Sequence, residues 1–173
     1  MGSVTRQVTF FVATTLFASV ASADTVYYAV SAGDNFERQT WHAADLNAFN
    51  KGRPGNVFDL YTCQRLGDGG LKVIRERSTP SGDWSLTLTY HYGTTGRLDK
   101  IQYDFSTLNG VCPCGETGPV RCERIYSVDA GGKLRKTMER VTDMKTGAAV
   151  DWTFFEPTVK HWGSVAELPI KPR

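Results

Sequence analysis

The sequence predicts a mainly β protein: an antiparallel meander of about seven or eight strands, curled into a barrel or a sandwich, with one short N-terminal helix. Three observations predict this class. Apolar and polar residues alternate along several segments, turns bearing glycine and aspartate separate those segments, and only one stretch has helical spacing. A sheet of this many strands has to curl or fold over to bury its aromatic face.

The N-terminal residues 1–23 predict a cleaved secretory signal peptide. Arg6 is the only charged residue among them, residues 8–20 are apolar or small, and Ala21-Ser22-Ala23 provides the small residues that signal peptidase requires. The apolar run is shorter than the roughly 20 residues that span a bilayer. We therefore expect an exported protein, periplasmic or extracellular, with no membrane span after signal removal. Residues 24–173 would form a single mainly β domain.

The elements that follow the signal begin with a strand and a helix. Residues 25–31 are rich in strand-forming side chains. Residues 35–50 predict the helix, because Trp41, Ala44 and Phe49 fall near one face and Lys51-Gly52 provides a stop.

The clearest strand is predicted at residues 83–92, where alternate side chains are large and apolar. This pattern indicates one buried face and one solvated face, with His91 on the solvated side. The apolar positions are Trp84, Leu86, Leu88, Tyr90 and Tyr92.

Turn chemistry spaces the remaining strands. The turns contain glycine, which reaches positive φ at little cost, and four of them fall at residues 67–70, 93–96, 129–132 and 143–147. They separate strands predicted at residues 57–66, 71–78, 97–106, 120–128, 133–142 and 149–155. The C-terminal stretch 162–173, with Pro169 and Pro172, is expected to be an extended, partly loose tail.

Composition excludes several classes of protein. The chain is 40% hydrophobic and 22% charged with a net charge of +2, which is too apolar for a disordered protein. Lysine and arginine form no cluster of the kind that binds nucleic acid. The oligomeric state is left open.

Four cysteines in an exported chain predict two disulfides, and three pairings are conceivable. They are Cys63, Cys112, Cys114 and Cys122. We expect Cys112–Cys114 least, because so tight a ring across Pro113 would be strained. Cys63–Cys112 with Cys114–Cys122 is slightly favoured over Cys63–Cys114 with Cys112–Cys122. A soft-metal site at the C-x-C pair, as in a metal chaperone, and a redox-active pair are competing interpretations.

Motifs for catalysis or cofactors are missing from the sequence. The three histidines show no metal-binding spacing, and residues 67–70 lack the lysine and helix of a phosphate-binding loop. No serine lies in a G-x-S-x-G elbow. We predict no bound metal and no cofactor.

Aromatic side chains are the more suggestive feature. Pairs such as Trp41-His42 and His161-Trp162 would place one ring on each side of a strand. An exposed ring stacks on sugars or anchors a protein partner, although the same rings can pack in a core. We expect the candidate binding residues to be Trp41, Trp84, His91 and Trp162, with the loops 80–84 and 112–122 as a rim.

The segment Tyr61-Thr62-Cys63 resembles small exported β-barrels of the C-type lysozyme-inhibitor family of the bacterial envelope. In that family a Tyr-x-Cys opens the barrel and its cysteine pairs with a late one. Residues Ser81-Gly82-Asp83-Trp84 are loosely similar to the family's inhibitory loop, whereas the family's later lysine-bearing loop has no match. The resemblance implies an inhibitor-like binding function.

The resulting hypothesis is an exported, disulfide-stapled β domain that acts as a binding or envelope-accessory module for a protein or glycan partner. The alternative is a small hydrolase or isomerase that uses His91 and a strand carboxylate at the mouth of a barrel.

Overall fold

The structure is a computed structural model that describes residues 25–32, 38–52 and 57–172. The proposed signal peptide at residues 1–23 lies outside the described residues and stays a prediction. The described elements are, in chain order, β1 (Thr25–Ala32), β2 (Arg38–Ala43), α1 (Leu46–Gly52), β3 (Val57–Arg65), β4 (Leu71–Ser78), β5 (Trp84–Tyr92), β6 (Leu98–Val111), β7 (Thr117–Val128), β8 (Leu134–Asp143) and a 3-10 turn (Val165–Glu167).

The described strands form one antiparallel sheet in the order β2-β1-β3-β4-β5-β6-β7-β8. From β3 onwards each strand pairs with the next in sequence, which is a meander. The edge strands β2 and β8 do not pair with each other, so the sheet is open rather than closed into a barrel. Side chains from β1 and from β3 to β7 share one core cluster, so the sheet curls around them. The predicted mainly β class, with a curled meander and one short helix, is confirmed.

Period-2 alternation determines which face of each strand is buried. In β5 the side chains of Leu86, Leu88, Tyr90 and Tyr92 are buried, as the sequence predicts. We call the face that carries them the inner face and the opposite one the outer face. Glycines at positive φ close the hairpins as expected, for example Gly96 at 74° and Gly132 at 80°.

The helix predicted over residues 35–50 is wrong in its first half. Residues 38–43 form β2, which pairs with β1 and places Trp41 opposite Ala29. The helix begins only at Leu46, where the Asp45 carboxylate accepts hydrogen bonds from the backbone N–H groups of Asn47 and Ala48. Pairing with β1 makes this segment a strand, and the helical periodicity of the sequence gives no information about such pairing.

The strand predicted at residues 149–155 does not join the sheet as a full strand. Only isolated bridges are formed there, between Thr142 and Ala149 and between Val111 and Thr153. The alternation of Trp152 and Phe154 comes instead from a chain that leaves the edge of the sheet and turns onto the inner face.

The C-terminal stretch, expected to be loose, is packed over residues 162–172. Trp162, Leu168 and Ile170 are buried in the same cluster as the inner-face side chains. The sheet leaves a deep apolar inner surface, and burying it is the driving force that holds this stretch in place. We call residues 152–172 the C-terminal segment.

Candidate functional site

The C-terminal segment crosses the inner face of the sheet from β7 to β1. Phe154 stacks on Phe105 of β6 with ring centroids 5.8 Å apart. The hydroxyl of Tyr90 in β5 donates to the carbonyl of Lys160 at 3.1 Å. At the far end, the hydroxyl of Tyr28 in β1 donates to the carbonyl of Lys171 at 3.0 Å. Backbone and aromatic contacts therefore tie the segment along its length.

Trp162 is the central anchor of this segment. Its ring lies 5.4 Å from the Tyr90 ring and 6.4 Å from the Tyr61 ring, and the Arg75 guanidinium sits 5.4 Å from it. At 4% exposure it is a core residue. The expectation that Trp162 is a surface binding residue is wrong, because its ring is buried against the inner face of the curled sheet.

A buried ion cluster lies beneath Trp162. The Asp59 carboxylate accepts two hydrogen bonds from Arg75, both at 3.0 Å, and two from Arg77, at 3.0 and 3.4 Å. Asp59 and Arg75 are both buried. Fork-shaped pairing of this kind is the geometry in which a buried charge is tolerated. The cluster fixes the positions of β3 and β4 under the segment.

A cleft opens where the segment passes over β5, β6 and β7. Its volume is about 250 Å³. We call it the Tyr103 cleft, after the tyrosine in its wall. The apolar part of the wall consists of Leu88, Ile101, Leu134, Pro157 and Val159, and the polar part of Tyr103, Arg124, Tyr126, Glu156 and His161. The cleft thus exists only because the C-terminal segment provides one of its sides.

The Tyr103 hydroxyl has no hydrogen-bond partner among the described residues, although it is shut off from solvent. The residue is 3% exposed. An unsatisfied buried hydroxyl costs about 1–3 kcal/mol. Burial, and after it the neighbouring Glu156 carboxylate, raises the pKa of Tyr103 above its ordinary value, so the hydroxyl keeps its proton. The wall of the cleft therefore holds an unused hydrogen-bond donor.

The Arg124 side chain, in contrast, is paired with two carboxylates. Its Nη1 and Nη2 donate to Glu156 at 2.5 and 2.6 Å, and its Nε donates to Glu139. Glu139 also accepts from the Lys136 ammonium at 2.5 Å. The hydrogen bonds from Arg124 lower the pKa of Glu156, and those from Lys136 and then Arg124 lower the pKa of Glu139. Both carboxylates stay ionised, and the charges of these four groups balance.

The Tyr103 cleft continues into a wider, more polar groove of about 860 Å³. Leu134 and His161 line both. The groove is built from the turns after β5 and β7 and from the start of the 3-10 turn, with Arg97, Asp129 and Ser164 in its wall. Cleft and groove together make one elongated depression with an apolar end and a polar end.

The other residues predicted for binding lie away from this depression. Trp41 is half-buried under α1, with its ring 5.1 Å from that of Phe49. His91 lies on the outer face, where its Nε2 is 3.1 Å from the Gln102 amide oxygen. Trp84 is half-buried at the end of β5, 6.1 Å from the Phe105 ring. The structure does not bring these candidates together with one another or with Trp162.

The cysteines are paired differently from either favoured expectation. Cys112 and Cys114 form the disulfide, with Cα atoms 5.2 Å apart, while Cys63 and Cys122 are buried free thiols. The turn after β6, in which Gly115 donates to the Cys112 carbonyl at 2.9 Å, folds the chain back on itself and brings the first two together. Burial raises the pKa of Cys63 to about 12 and that of Cys122 to about 11, so neither is a reactive thiolate.

Neither a metal centre nor a membrane-crossing helix is found in the part of the chain that the structure describes. Its histidines, cysteines and carboxylates form no group of three that could hold an ion. Its helices are too short and too polar to cross a bilayer.

Comparison of the chain with protein-family models, with curated protein sequences and with solved structures finds no match.

The sequence predicts Tyr103 on the apolar face of a strand and not among the binding residues. The alternation of Ile101, Tyr103 and Phe105 indicates burial, and nothing in it shows that the hydroxyl lacks a partner. The pairing of Arg124 with Glu156 spans 32 residues of sequence, which no local pattern reveals.

Proposed function

We propose that this protein is an exported binding module that holds a small, largely apolar ligand in the Tyr103 cleft. The proposal keeps the binding class expected from the sequence and moves the site from exposed aromatic rings to the inner face. Export is supported by the signal-like pattern of residues 1–23.

The observation that carries the proposal is the unpartnered, buried Tyr103 hydroxyl in the wall of a mostly apolar cleft. Concave apolar pockets with few polar groups are the usual form of a small-molecule site. A cavity of roughly 150 Å³ already accepts benzene, so a cleft of about 250 Å³ has room for a substituted ring. Buried polar groups without partners are rare in folded proteins, which makes a ligand contact the simplest use of this one.

The neutral fluorophore N-phenyl-1-naphthylamine tests the proposal directly, since its emission rises in apolar surroundings. We expect saturable binding to the wild-type protein. The variant Leu134→Trp fills the passage between cleft and groove and should weaken binding about tenfold or more, a loss of roughly 1.4 kcal/mol. The matched control Leu108→Trp makes the same replacement at a leucine that is exposed and lies outside the lining.

An unchanged affinity in Leu108→Trp, together with a loss in Leu134→Trp, supports the cleft as the site. Equal affinities in wild type and Leu134→Trp would show that the fluorophore binds elsewhere and would overturn the proposal. Emission that rises without saturation would overturn it as well.

A further inference from the structure

The hydrogen-bonding and charge state of the Tyr103 cleft restricts the chemistry of its ligand. We propose that the cleft selects an uncharged ligand: an apolar ring or branched chain that carries a neutral hydrogen-bond acceptor, such as a carbonyl, for the Tyr103 hydroxyl. This inference rests on the proposed binding function and specifies its ligand class.

The first restriction is on anions, which the ion pairs of Arg124 disfavour. Arg124 is the cation in the cleft wall, and the carboxylates of Glu139 and Glu156 occupy its Nε, Nη1 and Nη2 atoms. An anionic ligand would have to displace a carboxylate from a fork-shaped ion pair, or enter beside two negative charges. Because the four charges of the cluster balance, an anion gains no net attraction there to offset the loss of its water on entering the apolar part of the cleft.

The second step concerns cations. Both oxygens of Glu156 accept from Arg124, and the two oxygens of Glu139 accept from Arg124 and from Lys136. Each carboxylate oxygen therefore already has a charged donor. A cationic ligand would find the negative charge of this cluster already balanced, and it would have to leave water for walls formed by Leu88, Ile101 and their neighbours.

The third step identifies the group that a neutral ligand satisfies. Among buried side-chain polar atoms of the described residues, the Tyr103 hydroxyl oxygen is the one without a partner. The phenol is protonated, so the group it offers a ligand is its O–H donor. The oxygen is closed to water in this structure, so a ligand reaches it only as the wall of the cleft shifts to admit the ligand. A ligand carbonyl or ether oxygen accepts that bond, whereas a pure hydrocarbon fills the same space and leaves the hydroxyl unpaired.

The shape of the depression adds the orientation. The end lined by Tyr103 is mostly apolar, and the end lined by Arg97 and Ser164 is larger and polar. A ligand therefore enters with its apolar, acceptor-bearing end first, and any polar remainder lies in the groove beyond Leu134 and His161.

Two probes of nearly equal shape test the inference: acetophenone, and α-methylstyrene, in which a methylene replaces the carbonyl oxygen. Their dissociation constants are measured by displacement of N-phenyl-1-naphthylamine from wild type and from Tyr103→Phe. Comparing the ratio of the two constants between the two proteins cancels the difference in hydrophobicity between the probes. We expect Tyr103→Phe to shift this ratio about fivefold against acetophenone, the effect of one net hydrogen bond.

Benzoate supplies the charged comparison, and it should bind more weakly than acetophenone in both proteins. Tyr103→Phe should unfold at a urea concentration equal to or above that of wild type, because it removes an unsatisfied hydroxyl. A ratio that does not change between wild type and Tyr103→Phe, or benzoate binding more tightly than acetophenone, would overturn the inference. Both results leave the proposed function standing, provided that the two neutral probes still bind, whereas failure of every probe overturns the proposed function.

Discussion

Replacing Trp162 by alanine tests whether the C-terminal segment is part of the core. The indole is 4% exposed and lies against Tyr61, Tyr90 and the Arg75 guanidinium. Truncation of a buried tryptophan to alanine lowers the free energy of unfolding by about 3–5 kcal/mol. For a domain of this size that loss corresponds to a fall in melting temperature of roughly 6–20 °C.

The measurement is urea unfolding followed by circular dichroism, with Phe155→Ala as the matched control. Phe155 belongs to the same segment but is 68% exposed, so its removal should change the free energy of unfolding by no more than about 0.5 kcal/mol. Trp162→Phe keeps most of the apolar volume and provides a folded variant if the alanine variant does not fold. A cost below about 1 kcal/mol for Trp162→Ala would show that the segment is not anchored as described.

Three further predictions concern the cysteines and the charged groups. A thiol reagent should react slowly with the native protein, and in the protein unfolded without reductant it should react with two thiols, those of Cys63 and Cys122. The absence of a reaction in the unfolded state would mean that these two cysteines are disulfide-bonded. Asp59→Asn leaves buried guanidinium groups uncompensated and should lower the free energy of unfolding by about 3–5 kcal/mol. The control Glu76→Gln, at an exposed strand position, should change it by less than about 0.5 kcal/mol. Similar effects of the two variants would refute the buried cluster. The pKa of Glu156 is lowered in the folded protein, so its stabilising contribution is present above about pH 4.3 and is lost as the pH falls through the folded pKa. Glu156→Gln should therefore lose less free energy of unfolding than wild type during acid titration. An equal loss would contradict the ion pair.

Local patterns predicted most of the sheet, because each hairpin is encoded by neighbouring residues. The alternation in β5 and the glycine at position 96 are visible without knowledge of any distant partner. Helical spacing predicts residues 38–43 as helix, because their strand state depends on pairing with β1, which no local pattern shows. A few aromatic residues at helical spacing determine the secondary structure of a segment less strongly than a row of backbone hydrogen bonds to a neighbouring strand does.

The candidate site could not be predicted in the same way, because it is formed by contacts between segments distant in sequence. The hydrogen bond from Tyr90 to the Lys160 carbonyl spans 70 residues and that from Tyr28 to the Lys171 carbonyl spans 143. The prolines of the C-terminal stretch favoured a loose tail, and the apolar residues Leu168 and Ile170 that hold it show no regular period. The spacing of the cysteines favours other pairings, because it does not show the turn that brings Cys114 back to Cys112.

Methyl-resolved NMR during a titration with acetophenone tests the central claim, binding in the Tyr103 cleft, most directly. The account predicts saturable shifts for the methyl groups of Leu88, Ile101 and Val159, which line the cleft. It predicts little change for Ile74, which pairs with Thr89 and lies on the outer face. Shifts concentrated at Ile74, on the face that carries His91, or shifts that do not saturate, would contradict it.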